Sequence, residues 1–303
     1  MNLTRRELLE FAVVGALTPF PSVASAQTSA APNVSFTSLR RDVGIFTGRG
    51  GTIGWLVTPD AVVVVDSQFP DTARPCLDGL KARAARPIDL LVNTHHHPDH
   101  TSGNVVFQPV VRNIVAHRNV PALQKRSAEE QQTVDSQAYA DTLYESEWSR
   151  SLGRETLKLQ YFGAAHTSGD SVATFVNANV AHVGDLVFRE RHPVVDRGAG
   201  GTIRHWIAVL DAIDRAHDGD TIYVFGHARE GAGTSGTSAD LRAMRDYFTA
   251  ALDVVQTNIA SGKSRDEIAA IAALPKFEQY QSVPPRGTLA NVLGAAYDEL
   301  TAK

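Results

Sequence analysis

Four potential metal ligands lie within six residues of one another. They form the spacing His-x-His-x-Asp-His and are His95, His97, Asp99 and His100. The mostly apolar run at residues 88–93 predicts a buried strand that leads directly into them. Side chains alternate across a strand, so His95 and His97 are expected to point to one side and His96 to the other. Imidazole and carboxylate ligands together suit zinc or a similar first-row ion, and the segment therefore predicts a metal site.

Three more potential ligands follow segments that are predicted to be strands. They are His166, Asp185 and His227. His166 comes after the alternating run 157–162 and a turn that contains glycine, whereas the other two come directly after apolar runs. Another aspartate, Asp66, ends the apolar run 61–65. Because a closed ligand set needs donors from several strand ends, these residues are candidates to complete the site.

The order of these residues resembles the metallo-β-lactamase superfamily of binuclear metallohydrolases. The resemblance extends from about Val34 to Arg229, and Asp66 matches the early aspartate of that superfamily. It implies an α/β fold, the four-layer αβ/βα sandwich of two mixed β-sheets flanked by helices. It also implies that Asp185 bridges two metals. The implied ligands of the first metal are His95, His97 and His166, and those of the second are Asp99, His100 and His227.

The resemblance implies a hydrolase in which water is the nucleophile. A pair of zinc ions lowers the pKa of a bound water and holds the resulting hydroxide, and the second ion stabilises charge that develops on the substrate. The resemblance implies that Asp99 lies beside this hydroxide, which makes it the candidate catalytic residue, placed to orient the hydroxide or to take part in proton transfer. Asp66 is expected to hold the ligand loop by hydrogen bonds. Two Zn²⁺ per chain are expected, with iron or manganese as alternatives.

Asp185 also bears on the expected reaction. Dedicated zinc β-lactamases usually carry cysteine or serine at this position, whereas thioesterase, lactonase and phosphodiesterase members of the superfamily carry aspartate. We therefore expect a hydrolase that cleaves an ester, lactone, thioester or β-lactam bond in a small molecule. Two alternatives stay open: a dedicated periplasmic β-lactamase, and a mononuclear iron dioxygenase that oxidises sulfur compounds on the same fold.

The loop after the predicted bridging aspartate contains the candidate substrate-binding residues. Arg191, His192 and Arg197 lie within residues 188–201, and in this fold the corresponding loop borders the substrate cleft. Their side chains suit a carboxylate or a phosphate, although solvated loop charges are the alternative interpretation. The identity of the substrate does not follow from the sequence.

The N-terminal residues 1–26 resemble a twin-arginine signal peptide. Arg5 and Arg6 precede an apolar segment at residues 11–17, and Ala24-Ser25-Ala26 resembles a cleavage site. The apolar segment is short and is followed closely by prolines, so no stable membrane span is expected. An uncleaved membrane anchor is the alternative. The predicted location is therefore the periplasm, with the twin-arginine export machinery as a partner.

Composition and charge agree with an ordinary globular enzyme. The chain has 303 residues, 43% of them hydrophobic, and a net charge of -4, which argues against binding to nucleic acid. A single cysteine, Cys76, excludes an intramolecular disulfide. Residues 27–33 are predicted to be a flexible linker, and residues 34–303 one hydrolase domain with C-terminal helices from about residue 238. Residues 120–148 are predicted to form a long polar helix.

Overall fold

A mixed sheet of seven strands forms the first half of the fold. The computed structural model describes residues 33–302, so the predicted signal peptide lies outside the described residues. The strands lie side by side in chain order: β1 Ser35–Arg40, β2 Val43–Thr47, β3 Ile53–Val57, β4 Val62–Val65, β5 Ile88–Asn93, β6 Val111–His117 and β7 Thr142–Tyr144. Neighbours from β1 to β4 are antiparallel, and those from β4 to β7 are parallel. The carboxyl ends of β4, β5 and β6 therefore lie at one edge of the sheet.

A second, mostly antiparallel sheet forms the other half. Its strands and those of a separate short pair are β8 Glu147–Leu152, β9 Glu155–Gln160, β10 Val172–Phe175, β11 Val180–His182, β12 Phe188–Arg189, β13 Ile222–Val224, β14 His227–Ala228 and β15 Ser235–Gly236. The order across the second sheet is β15-β13-β11-β10-β9-β8, in which only β11 and β13 are parallel neighbours. β12 and β14 form the separate parallel pair, which sets His227 beside Phe188.

Helices pack around both sheets. They are α1 Pro70–Arg83, α2 Pro98–Thr101, α3 Asn104–Phe107, α4 Val120–Glu130, α5 Ile203–Ala216, α6 Ser238–Ala260, α7 Arg265–Ala269 and α8 Leu289–Thr301. A capping box between Thr237 and Asp240 begins α6, because each side chain accepts a hydrogen bond from the backbone of the other end of the first turn. Within residues 33–302, no helix is both long and apolar enough to cross a membrane.

Three apolar clusters separate four layers. Between the sheets, Val63 of β4 belongs to the same buried cluster as Phe175 of β10. On the other face of the first sheet, Val64 packs in a cluster with Leu77 of α1. A third cluster joins the second sheet to α5, α6 and α8. Strand β4 is buried on both faces and consists of valine throughout, as expected of a strand between two apolar layers, and the predicted four-layer sandwich is confirmed.

The predicted helix over residues 120–148 is wrong beyond residue 130. α4 ends at Glu130, and the chain continues through a 3₁₀ turn, Val134–Ser136, into β7 and β8. The polar residues there favour a helix in isolation, but β7 pairs with β6 and β8 pairs with β9. Side-chain exposure alternates along β8, as expected of a strand with one buried face. Pairing with neighbouring strands thus overrides the local preference.

Candidate metal centre

Four of the predicted ligands lie at the carboxyl end of β5, in the first sheet. His95 and His97 follow the strand, and Asp99 and His100 lie in the one-turn helix α2. Pro98 occupies the first position of this helix, where its fixed φ favours the helical conformation. The chain therefore turns sharply after His97, and this turn brings side chains from the strand end and the helix close together.

The other three predicted ligands come from the second sheet. His166 follows β9, Asp185 lies in a 3₁₀ turn after β11, and His227 begins β14. These ends meet the end of β5 across the junction between the two sheets, where the seven side chains form two groups of donor atoms. The structure thus brings together every residue that was predicted to bind a metal.

The first group contains three histidines and Asp185. The Nδ1 atom of His97 lies 3.1 Å from Nε2 of His95 and 2.9 Å from Nε2 of His166. One oxygen of Asp185 lies 3.8 Å from Nε2 of His95 and 3.5 Å from Nε2 of His166. All four residues are buried. Their donor atoms are close enough to one another to bind a single cation.

The second group contains Asp99, His100 and His227. Nε2 of His227 lies 3.0 Å from an oxygen of Asp99, and Nε2 of His100 lies 3.8 Å from the same oxygen. Asp185 also reaches this group, because its oxygens lie 3.1 Å from Nε2 of His100 and 3.4 Å from Nε2 of His227. Asp185 is therefore the residue that contacts histidines of both groups.

The chemistry of the donor atoms fits a pair of cations. Nε2 of His100 and Oδ1 of Asp185 are both buried, and neither makes a hydrogen bond within residues 33–302. Burial opposes the protonation of His227, but Asp185 and Asp99 outweigh it and raise the pKa of His227 to about 9. In the metal-free protein, a proton on His227 therefore supplies positive charge that offsets these carboxylates. Metal ions would replace such protons, as metal ligands must be deprotonated.

Hydrogen bonds on the far side of two imidazole rings orient the first group. Nδ1 of His166 lies 2.7 Å from the carbonyl oxygen of Val194, which can only accept, so the proton of His166 is on Nδ1. Nε2 of His97 likewise lies 2.9 Å from a carboxylate oxygen of Asp196. The nitrogens that face the donor group therefore keep their lone pairs, which is the tautomer that a metal requires.

Asp66 orients the two other ligand histidines after β5, which are His95 and His100. Its carboxylate lies 2.7 Å from Nδ1 of His100 and accepts hydrogen bonds from the backbone and the hydroxyl of Thr94, at 2.7 and 2.8 Å. Because the Thr94 hydroxyl uses its proton on Asp66, it accepts from Nδ1 of His95 at 3.0 Å. Asp66 is fully buried and lies outside both donor groups. This is the position expected of a residue that holds the ligand loop.

His96 lies beside the site without joining either group. Its side chain is 3% exposed, its Nδ1 has no hydrogen-bond partner within residues 33–302, and its Nε2 is 3.7 Å from Asp196. Burial lowers its pKa to about 3, so the ring is neutral. His96, His97 and Asp196 could together reach a cation. However, His97 and Asp196 lie close together because they share a hydrogen bond, so no cation is needed to explain this cluster.

Changing Asp196 to asparagine is expected to weaken metal binding at the first group. The His97 ring would lose its charged acceptor, and such changes typically lower metal affinity by about 10 to 100-fold. Competition with a chromogenic chelator measures this affinity. His96→Ala is the matched control, because it removes a buried neighbour of Asp196 and is expected to leave both metals in place. If His96→Ala lost one metal while Asp196→Asn lost none, the assignment of these two residues would have to be reversed.

Two glycines allow the backbone to approach the donor atoms closely. A Cβ atom on Gly226 would overlap the carboxylate of Asp185, and one on Gly51 would overlap the ring of His100. Any larger residue would therefore push a predicted ligand out of place. Both positions belong to the loops that surround the site, and the absence of a side chain there is a condition for its geometry.

A cleft of about 590 Å³ opens onto both donor groups. Its wall includes His97, Asp99, His166, Asp185 and His227 together with Phe69, Phe188, Arg191 and residues 283–287. A cavity of this size is within the usual range for small-molecule sites. The sequence did not show that residues 283–287 contribute to the cleft, because they carry no recognisable motif.

The structure brings one of the three predicted substrate-binding residues into this cleft. Arg191 lines it, but His192 points away and is hydrogen-bonded through Nδ1 to the hydroxyl of Tyr247 at 2.7 Å. Arg197 is exposed and lies 3.8 Å from the carboxylate of Glu299. Arg191 forms an isolated bridge with Gln281, and because adjacent side chains of extended backbone point to opposite sides, Arg191 and His192 have different surroundings. Sequence proximity to Asp185 did not reveal which of them face the site.

The fold and the two donor groups define a class of α/β sandwich proteins with a metal centre at the junction of the two sheets. The family model of the metallo-β-lactamase superfamily matches residues 46–227. The chain therefore belongs to this superfamily, whose members are generally metal-dependent hydrolases. Comparison with curated proteins gives no match.

Solved structures with the same fold include a sulfatase and two metallo-β-lactamases. The stereoselective inverting sec-alkylsulfatase Pisa1 from Pseudomonas sp. is 16% identical, with a TM-score of 0.69 over 88% of this chain and 50% of its own. This chain thus spans about half the length of that sulfatase. A metallo-β-lactamase from Pontibacter korlensis is 18% identical, with a TM-score of 0.59 over 72% and 99%. The DIM-1 metallo-β-lactamase exposed to ceftazidime is 15% identical, with a TM-score of 0.60 over 74% and 100%. At these identities the similarity establishes the fold alone.

Proposed function

We propose that this protein is a binuclear zinc hydrolase that cleaves an ester, lactone, thioester or β-lactam bond in a small molecule. The observation that carries the proposal is the place of Asp185, which lies within 4 Å of histidines from both donor groups. A carboxylate in this place can bind one ion with each oxygen. The proposed ligands are those of the two groups, with Asp185 shared between them.

When bound, two such ions lower the pKa of a water molecule and polarise the bond that is cleaved. The protein supplies the position and the proton acceptor. Asp99 lines the cleft, with one oxygen 3.0 Å from Nε2 of His227. Burial opposes its ionisation, but His100 and His227 outweigh it and hold the pKa of Asp99 well below its usual range. As a carboxylate, Asp99 can orient the attacking water and accept its proton.

The alternatives are less well supported. A mononuclear iron dioxygenase would need only two histidines and one aspartate of the set, whereas this chain brings together all seven predicted ligands. A dedicated β-lactamase agrees with the predicted export, but the aspartate at position 185 argues against it, since such enzymes usually carry cysteine or serine there. The sulfatase among structures of the same fold adds a sulfate ester to the bonds that need to be tested.

Metal removal and restoration test this proposal. The chain without its first 26 residues would be treated with a chelator, reloaded separately with zinc, manganese or ferrous iron, and assayed on a chromogenic cephalosporin, a lactone, a thioester, an aryl ester and a sulfate ester. We expect no hydrolysis without metal and the highest turnover with about two zinc ions per chain. One iron per chain, with oxygen consumption on a persulfide and no hydrolysis of any compound, would instead establish the dioxygenase.

Export to the periplasm by the twin-arginine route is part of the same proposal. It rests on Arg5, Arg6 and the apolar segment that follows them in the sequence. These residues lie outside the part of the chain that the structure describes, so the proposal depends on the sequence pattern alone.

A further inference from the structure

A C-terminal segment, residues 281–287, covers one side of the cleft. Its first residue, Gln281, is tied to the loop after β12, because its backbone N–H donates to the carbonyl of Glu190 at 2.9 Å and its carbonyl accepts from His192 at 3.0 Å. Residues 283–287 then line the cleft. The segment lies outside residues 46–227, which the family model matches.

Arg191 stands in the cleft without a partner for its charge. Its Nε atom is buried and makes no hydrogen bond, and no carboxylate lies within 4 Å of its guanidinium among residues 33–302. Neighbouring arginines differ, since Arg189 lies 2.9 Å from Asp240 and Arg229 lies 2.6 Å from Glu190. Burial also lowers the pKa of Arg191, which indicates that its charge is poorly solvated. A desolvated cation without a partner is costly, so its retention in a cleft suggests a ligand.

The charges of the metal centre add to this argument. Asp185 and Asp99 oppose the effect of burial on Arg191, so in the metal-free protein their carboxylates stabilise its charge from a distance. Two divalent cations bound at these carboxylates would bring more positive charge than the protons that they replace. Arg191 would then lie in a cleft with an excess of positive charge, and an anionic group on the substrate is the component that restores the balance.

Arg286, in the C-terminal segment, is a second cation on the wall of the same cleft. It is exposed and has no carboxylate within 4 Å among residues 33–302. Part of the wall is apolar and includes Phe69, Phe188, Val194, Val283, Pro284 and Pro285. A guanidinium binds the oxygens of a carboxylate or a sulfate through its fork of N–H groups. The cleft therefore combines cationic groups with an apolar surface.

We propose that Arg191 and Arg286 form an oxyanion-binding subsite, and that the substrate is a small organic anion with an apolar body. Its carboxylate or sulfate would lie at the two arginines, and its apolar part would lie against the phenylalanine and proline side chains. This inference rests on the proposed function for the cleavage itself, which would occur at the metal centre.

Paired substrates that differ in one charge test the subsite. The two compounds are the para-nitrophenyl monoester of glutarate, which has a free carboxylate, and its neutral methyl ester. We expect the zinc-loaded protein to have the higher kcat/KM for the anion. Arg191→Ala and Arg286→Ala are each expected to lower kcat/KM for the anion by about 10 to 100-fold, since a charge-assisted hydrogen bond is lost. The neutral ester should change by less than about 3-fold, and Arg191→Lys should restore part of the preference.

Arg215→Ala is the matched control, because Arg215 is exposed in the last turn of α5 and does not line the cleft. Zinc content and thermal unfolding would be measured for every variant, so that a folding defect is not read as a loss of the subsite. Equal turnover of both esters by the unchanged protein, or an equal loss of both in the arginine variants, would overturn the proposal.

A binding measurement separates this inference from the proposed function. Calorimetric titrations of the zinc-loaded protein with hexanoate, hexanesulfonate and hexanol need no hydrolysis. Binding of either anion, but not of the alcohol, that weakens about 10-fold or more in Arg191→Ala and Arg286→Ala supports the subsite even if no ester is cleaved. The stronger of the two anions would identify the oxyanion. Binding that both variants retain would place the anion on the metals, and no binding at all would likewise exclude the subsite.

Discussion

Replacing Asp185 with asparagine is expected to remove bound metal and hydrolysis together. Asparagine keeps the shape of the side chain but loses the charge and one of the two oxygens that reach both donor groups. Loss of an outer hydrogen-bond partner already lowers metal affinity by about 10 to 100-fold, so loss of a shared ligand should exceed 100-fold. Metal content by mass spectrometry and kcat/KM on the best substrate would both be measured.

Asp211→Asn is the control for this experiment. Asp211 lies on α5, where its carboxylate pairs with Arg245 at 3.1 Å and has no contact with the donor groups. This variant is expected to keep two metals and normal turnover. If Asp185→Asn also kept two metals and full activity, Asp185 would not bridge the ions and the proposed binuclear mechanism would lose its main support.

Among the substitutions proposed for this protein, Asp66→Ala is expected to cause the largest loss of folding stability. Three buried donors, from the backbone and hydroxyl of Thr94 and from Nδ1 of His100, would lose their acceptor at once. Each unsatisfied buried donor costs about 1 to 3 kcal/mol, so we expect the free energy of unfolding to fall by at least about 3 kcal/mol. Denaturant unfolding of metal-free and zinc-loaded protein measures this change.

The same substitution should reduce metal affinity at the second group, because the His100 ring would no longer be oriented. Asp66→Asn provides the comparison, since it can still accept one hydrogen bond from Thr94 and should be less destabilised. An unfolding free energy that is unchanged in Asp66→Ala would show that water satisfies these donors and that the carboxylate does not hold the loop.

The sequence predicted those parts of the site that depend on residues close together along the chain. His95, His97, Asp99 and His100 are close along the chain, and apolar runs mark the strand ends that bring in the others. The four-layer fold followed from the resemblance that these residues carry. In each of these cases neighbouring residues contain the information, because a strand end places its next side chain at the edge of the sheet.

The parts that were missed depend on contacts between distant segments. Asp196 accepts from His97, which precedes it by 99 residues, and nothing near either residue indicates this pairing. Arg286 lines the cleft in a segment whose first residue, Gln281, pairs with the loop after β12. The region of β7 and β8 was misread for the same reason, since its partners β6 and β9 are what make it extended. Local composition cannot show which remote segment will be adjacent in the fold.

The division of the ligands between the two sheets has a consequence for the order of assembly. Each donor group combines side chains that follow β5 with side chains from the second half of the chain, and His227 comes last. A nascent chain that ended before Asp185 would contain the whole His-x-His-x-Asp-His segment but only part of each group. Tight retention of the ions would thus begin only when both sheets have docked. If the protein is exported in a folded state, it would bind its metals in the compartment where synthesis is completed. The metal available there, and not in the compartment where the enzyme works, would determine which ion is bound.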